Sequence, residues 1–147
     1  MKQFHILILV LSALFAGLPA AAQNTSGGGV TKVSTVPGTS DDVLIPISKY
    51  IASGNAEALS AWFADNLEIA ILSRESDASR AQAKQIVKSF FDNHTPRNFN
   101  IDHTSGRAGM KYALGTLKAG GETFTVTIFL SCKDSTYKIQ HLKIERF

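Results

Sequence analysis

From Arg97 to the C-terminus the apolar residues fall on every second position. Phe99, Ile101 and His103 alternate with Asn98, Asn100 and Asp102, and Phe124, Val126, Ile128 and Leu130 alternate with Thr123, Thr125 and Thr127. Successive side chains of a strand point to opposite faces, so this pattern predicts half-buried strands. Residues 110–119 and 122–132 are separated by Gly120-Gly121, a hairpin signal, and residues 106–109 form the turn before them. Lys133-Asp134-Ser135 leads into a last strand, 136–145. There Tyr137 and Ile139 are followed by Leu142 and Ile144, an offset of three that places a bulge near Gln140-His141. A meander of this kind needs helices to cover its apolar face.

The preceding segment supplies them. Leu44, Ile47 and Ile51 recur at helical spacing and Gly54 ends that helix. Pro46 fits only a first turn, so the helix starts at Val43 or Ile45. Asn55 caps a second helix, on which Leu59, Trp62 and Phe63 form an i, i+3, i+4 stripe. Leu67, Ile69 and Ile71 share one face of a short strand, with Glu68 on the other. Ser79-Arg80-Ala81-Gln82 is a capping box. It opens the best-patterned helix of the chain, with Ala83, Ile86, Val87, Phe90 and Phe91 on one side and Lys84, Gln85 and Lys88 on the other. Asn93 and Pro96 close it. Helices first and an antiparallel meander last give an α+β class: a curved antiparallel sheet wrapped around N-terminal helices and one further helix, shaped as a cone.

Residues 1–22 read as a secretory signal peptide. Lys2 precedes an apolar stretch, and Ala20-Ala21-Ala22 supplies a small-residue cleavage signal before Gln23. Residues 23–40 are rich in Gly, Ser and Thr and read as a flexible linker, leaving residues 41–147 as a single domain. Export implies a periplasmic or secreted protein with no membrane anchor after cleavage. Cys132 is the single cysteine, so no intramolecular disulfide can form, and its apolar strand marks it as a small buried hydrophobe. Hydrophobic residues make up 44% of the chain and charged residues 18%. Those proportions exclude a collagen-like chain, a disulfide scaffold, a multi-pass membrane protein and a wholly disordered one. The net charge is only +3 and no basic stripe stands out, so nucleic acid is not an expected partner.

The order of elements resembles the nuclear-transport-factor-like superfamily, also called SnoaL-like or ketosteroid-isomerase-like. It is most similar to a family of small secreted bacterial domains of unknown function within it. The likeness is carried by Ser53-Gly54-Asn55-Ala56, Phe99-x-Ile101-x-His103 and Tyr112-Ala113-Leu114-Gly115-Thr116-Leu117. It continues through Phe124-x-Val126-x-Ile128-Phe129-Leu130 and Tyr137-x-Ile139-Gln140-x-Leu142-x-Ile144-Glu145. The resemblance implies a bent antiparallel sheet around a long helix, a conical pocket and an export route. It implies no established activity and no catalytic residues.

His94, His103 and His141 show no H-x-H or H-E-x-x-H spacing, so neither metal nor cofactor is expected. Acid–base chemistry in the cone would draw on Glu68, Asp102 or Glu145 with Tyr50 or Tyr112. His103 shares the face of Phe99 and Ile101. That puts it either inside the cone, available for proton transfer, or at the sheet rim as a hydrogen-bonded side chain. Tyr50, Trp62, Phe90, His103 and Tyr112 are the candidate pocket residues, with ordinary core packing as the competing role for the aromatics. Three readings follow. The leading one is a non-catalytic binding module that holds a small hydrophobic ligand in an apolar cone. The others are a small cofactor-free enzyme acting in that cone, and a structural homodimer with a filled pocket. The uncharged Thr123, Thr125, Thr127, Phe129 and Ser131 face is the expected surface for a homodimer.

Overall fold

The computed structural model describes residues 43–147. The expected signal peptide (1–22) and linker (23–40) lie outside the described residues. The described chain folds as three helices and six strands. They are α1 (Leu44–Ser53), α2 (Ala56–Ser60), β1 (Phe63–Ile71), β2 (Arg74–Ser79), α3 (Arg80–Asn93), β3 (Pro96–Arg107), β4 (Met110–Ala119), β5 (Glu122–Lys133) and β6 (Thr136–Arg146).

Local chemistry sets the boundaries. Gly54, at φ 67°, ends α1 in the left-handed conformation that glycine adopts without a steric penalty. The Asn55 side chain accepts the Ala58 N–H at 3.0 Å and starts α2. Both bonds of the capping box form: Gln82 N–H donates to Ser79 Oγ at 3.3 Å, and Ser79 N–H donates to Gln82 Oε1 at 3.0 Å. Arg80 then ties the start of α3 to β1, donating to the Phe63 carbonyl at 3.1 Å and pairing with Asp65 at 2.8 Å.

The strands form one open sheet in the order β2-β1-β6-β5-β4-β3. Every pairing is antiparallel except β1 with β6, which is parallel and makes the sheet mixed. The bulge expected in β6 is present. Phe129 pairs with His141 and Leu130 with Ile139, so Gln140 is the extra residue and both apolar pairs of β6 stay on one face. Bulges bend strands, and curvature brings the sheet around its helices.

One face of the sheet is sealed. Leu117, Phe124, Val126, Ile128, Leu130, Ile139, Leu142 and Ile144 are each 1% exposed or less. The α1 helix covers this face at β3, and α3 covers it at β1 and β2. Phe90 meets Phe124 edge to face, with ring centroids 5.2 Å apart and planes at 82°. Gly115 leaves room for the Phe99 ring, because a Cβ there would lie 2.6 Å from it.

Five expectations change. Trp62 and Phe63 do not extend α2: the helix stops at Ser60, Trp62 lies in a turn and Phe63 begins β1. β2 was not anticipated, because its turn, Leu72-Ser73, contains no glycine although both residues have positive φ (50° and 70°). Ile86 lies on the rim of the α3 stripe and is 36% exposed. The turn after β3 is Ala108-Gly109, two residues shorter than expected, and Cys132 is half-buried.

Phe90→Ala should cost ~3–5 kcal/mol in urea or thermal melts, and Gly115→Val ~1–3 kcal/mol through collision with Phe99. Lys88→Ala, on the wet side of α3, should change stability by no more than about 0.5 kcal/mol.

Candidate functional site

The alternation of β2 sorts its side chains by chemistry. Cross-strand partners share a face, and Arg74, Ser76 and Ala78 pair with Ile71, Ile69 and Leu67 on the inner, helix-covered side. Glu75 and Asp77 pair with Ala70 and Glu68 on the outer side. Arg74 and Ser76 on this row are polar and exposed, and a cleft of about 660 Å³ opens between them and α3. Its apolar walls are Ile69, Ile71 and Leu72 from the hairpin and Ile86 and Phe90 from α3. Arg74 and Ser76 face Gln85, Ser89 and Asn93 across it.

His94 ends the cleft where α3 stops. Its ring stacks on Phe90 at 4.8 Å, with planes 19° apart, and stands edge-on to Phe124 at 5.2 Å. Its Nδ1 lies 3.3 Å from the Phe90 carbonyl and its Nε2 lies 3.4 Å from Glu122, which also pairs with Arg146. Each ring nitrogen thus faces an acceptor of the fold.

The five candidate residues are not brought together. Phe90 alone among them lines the cleft. Tyr50 and Trp62 are half-buried against the core. Tyr112 pairs with Phe129 on the outer face. His103 does not share the face of Phe99 and Ile101. A second bulge falls between Ile101 and His103, so His103 pairs with Leu114, on the outer side, and Thr104 takes the inner position opposite Ala113. Asp102, at the bulge, accepts the Thr116 hydroxyl at 2.6 Å.

Residues 45–145 match the family described as Domain of unknown function (DUF4783). The chain belongs to that family. No curated protein matches it. A DUF4783 family protein from Bacteroides ovatus superposes with a TM-score of 0.68 at 21% identity, over 70% of this chain and 94% of that one. One from Bacteroides uniformis gives 0.67 at 22%, over 69% and 94%. A protein of unknown function from Silicibacter pomeroyi, described as NTF-2 like, gives 0.56 at 13%, over 71% and 90%. The DUF4783 chain thus has the nuclear-transport-factor-like α+β fold that its strand motifs resemble.

The cleft residues missed in the sequence belong mainly to the unanticipated hairpin: Leu72, Arg74 and Ser76. Read with period two, residues 74–79 would have shown one cation inward and two acids outward. Lys111 was also missed. It is buried on the inner face at the far end of the sheet, its ammonium 4.8 Å from the centre of the Tyr137 ring. Among the described residues no cluster of three or more His, Cys, Asp or Glu could hold a metal, and no helix is long and apolar enough to cross a membrane.

On the outer face Glu68 lies 3.3 Å from His141 on the parallel neighbour strand. The Glu68 carboxyl is held below the ordinary glutamate value, first by a hydrogen bond shared with Glu75 and then by His141. Two ionised carboxylates have no proton to share, so His141 is the partner that persists at higher pH. A lowered folded-state value means that this contribution to stability is present above the ordinary glutamate value. It is lost as pH falls through the lower one. NMR titration of the Glu68 carboxyl carbon should give a midpoint below that of a free glutamate, and His141→Asn should raise it.

Proposed function

We propose that this DUF4783 domain is a small exported binding module that takes a small apolar ligand into the cleft between α3 and the β1–β2 hairpin. The observation that carries the reading is the cleft itself: about 660 Å³, walled by Ile69, Ile71, Leu72, Ile86 and Phe90. Ligand pockets have this size and this mixture of apolar walls with a few polar groups. The leader at residues 1–22 supports export. The reading is non-catalytic because the acids available for proton transfer, Glu68, Asp102 and Glu145, belong to the outer side of the sheet. A base must reach its substrate before its pKa matters.

The test uses the mature exported protein and the neutral fluorescent probe N-phenyl-1-naphthylamine. Saturable fluorescence enhancement is expected. Ile86→Glu should weaken it about tenfold or more by setting a charge in the apolar wall. Since Ile86 is 36% exposed, the variant should melt close to the parent. Absence of saturable binding, or binding that Ile86→Glu leaves unchanged, refutes the reading.

A second reading concerns the outer face. Tyr112, Leu114 and Phe129 form a half-buried apolar group at its centre, among Thr116, Thr125 and Thr127. Glu68, Glu75 and Asp77 lie toward the β2 edge, whereas toward the β3 edge Arg107 and Lys118 outnumber Asp102. A two-fold axis along β5 would lay the acidic side of one copy over the basic side of the other, as an isologous dimer requires. Analytical ultracentrifugation should show a dimer, and Thr125→Lys with Phe129→Lys should leave a folded monomer. A parent protein that stays monomeric at high micromolar concentration rules this out.

A further inference from the structure

Among the described residues, Arg74 is the one lining residue of the cleft that carries a fixed charge, and no carboxylate lines it. Among the described residues Arg74 makes no ion pair, although Arg80 and Arg146 each do. The acids nearest to it in sequence, Glu75 and Asp77, are turned to the other side of the sheet by the strand alternation. His94, at the end of α3, is already set against Glu122 and the Phe90 carbonyl. The cleft therefore has long apolar walls and one unspent guanidinium at its hairpin side, beside the neutral donors of Gln85, Ser89 and Asn93.

We infer that the ligand of this cleft is an amphipathic monocarboxylate, with its apolar body against Ile69, Ile71, Ile86 and Phe90 and its carboxylate on Arg74. The inference rests on the reading of the cleft as a ligand site and adds the ligand's class. A planar guanidinium matches a carboxylate through two parallel N–H···O bonds. A single cation balances a single negative charge. A phosphate monoester carries about −1.5 to −2 at pH 7 and would leave part of its charge uncompensated beside apolar walls.

The experiment is displacement of N-phenyl-1-naphthylamine from the mature protein by dodecanoate, by the uncharged dodecanamide and by dodecyl phosphate. Dodecanoate should bind about tenfold more tightly than the amide, the scale of one charge-assisted hydrogen-bonded pair at a partly wet site. Arg74→Gln should bring the ratio of dodecanoate to dodecanamide affinity close to one, each displacement being referred to the variant's own probe affinity. Added salt should weaken dodecanoate and not the amide. If the probe binds but acid and amide bind equally, the carboxylate assignment is overturned while the cleft remains a ligand site. Tighter binding of dodecyl phosphate than of dodecanoate also overturns it. Failure of the probe itself to bind overturns both readings together.

Discussion

Burial of the inner face of β4, β5 and β6 is the constraint on which the rest of the DUF4783 domain depends. Each of its large apolar side chains is worth roughly 1.5–3 kcal/mol when removed from water, and eight of them lie side by side on three adjacent strands. Two helices of substantial length are available to cover them. Phe90 joins the longer one to the middle of the sheet by its edge-to-face contact with Phe124. Because the cover is limited, the strands must curve to present their whole apolar row to it. The bulge at Gln140 lets β6 bend without turning Leu142 and Ile144 outward.

Where the apolar pattern was strong, the sequence was a sufficient guide. The period of two, the capping box at Ser79 and Gln82, the asparagine cap at Asn55 and the glycine stop at Gly54 all act through neighbours in the chain. The offset of three in β6 was readable for the same reason: both sides of the bulge are apolar, so a slip in register leaves a visible trace. The bulge in β3 leaves no such trace. Asp102, His103, Thr104 and Ser105 are all polar, and either face would accept them, so His103 could be assigned to the wrong side. Trp62 and Phe63 misled for a different reason. A spacing of i, i+3, i+4 over so few residues fits the end of a helix as well as a turn entering a strand. Only the partners settle it: the Trp62 carbonyl accepts from Ile139 and the Ala61 carbonyl from Lys138, both on β6.

The hairpin of β1 and β2, on which about half of the cleft is built, is the element least legible in the sequence. Its turn residues, Leu72 and Ser73, take positive φ without being glycine or asparagine, a conformation local propensity disfavours. The pairing of six successive residues of β1 with β2 holds it in place. Sequence reasoning weighs residues one turn at a time and cannot see a ladder that compensates for an unfavourable turn. Large aromatic side chains occupy core positions first. Tyr50 and Trp62 accordingly pack against the core and do not line this cleft.

Fold and site therefore have separate origins in this chain. The inner rows of β4, β5 and β6 are largely apolar, and structures only 13–22% identical superpose over most of their length. The cleft arises where that rule lapses. On the edge strand β2 the inner row is Arg74, Ser76 and Ala78, of which only Ala78 joins the core, while Arg74 and Ser76 border the cleft with Ile86 and Phe90. A leucine at each position would have extended the core by one strand and erased the opening. Open space thus lies where the strand is polar, and Arg74 carries the only fixed charge among the described residues that line it. Arg74 and Ser76 on the edge strand lie outside the core cluster, so they can differ at little cost to it.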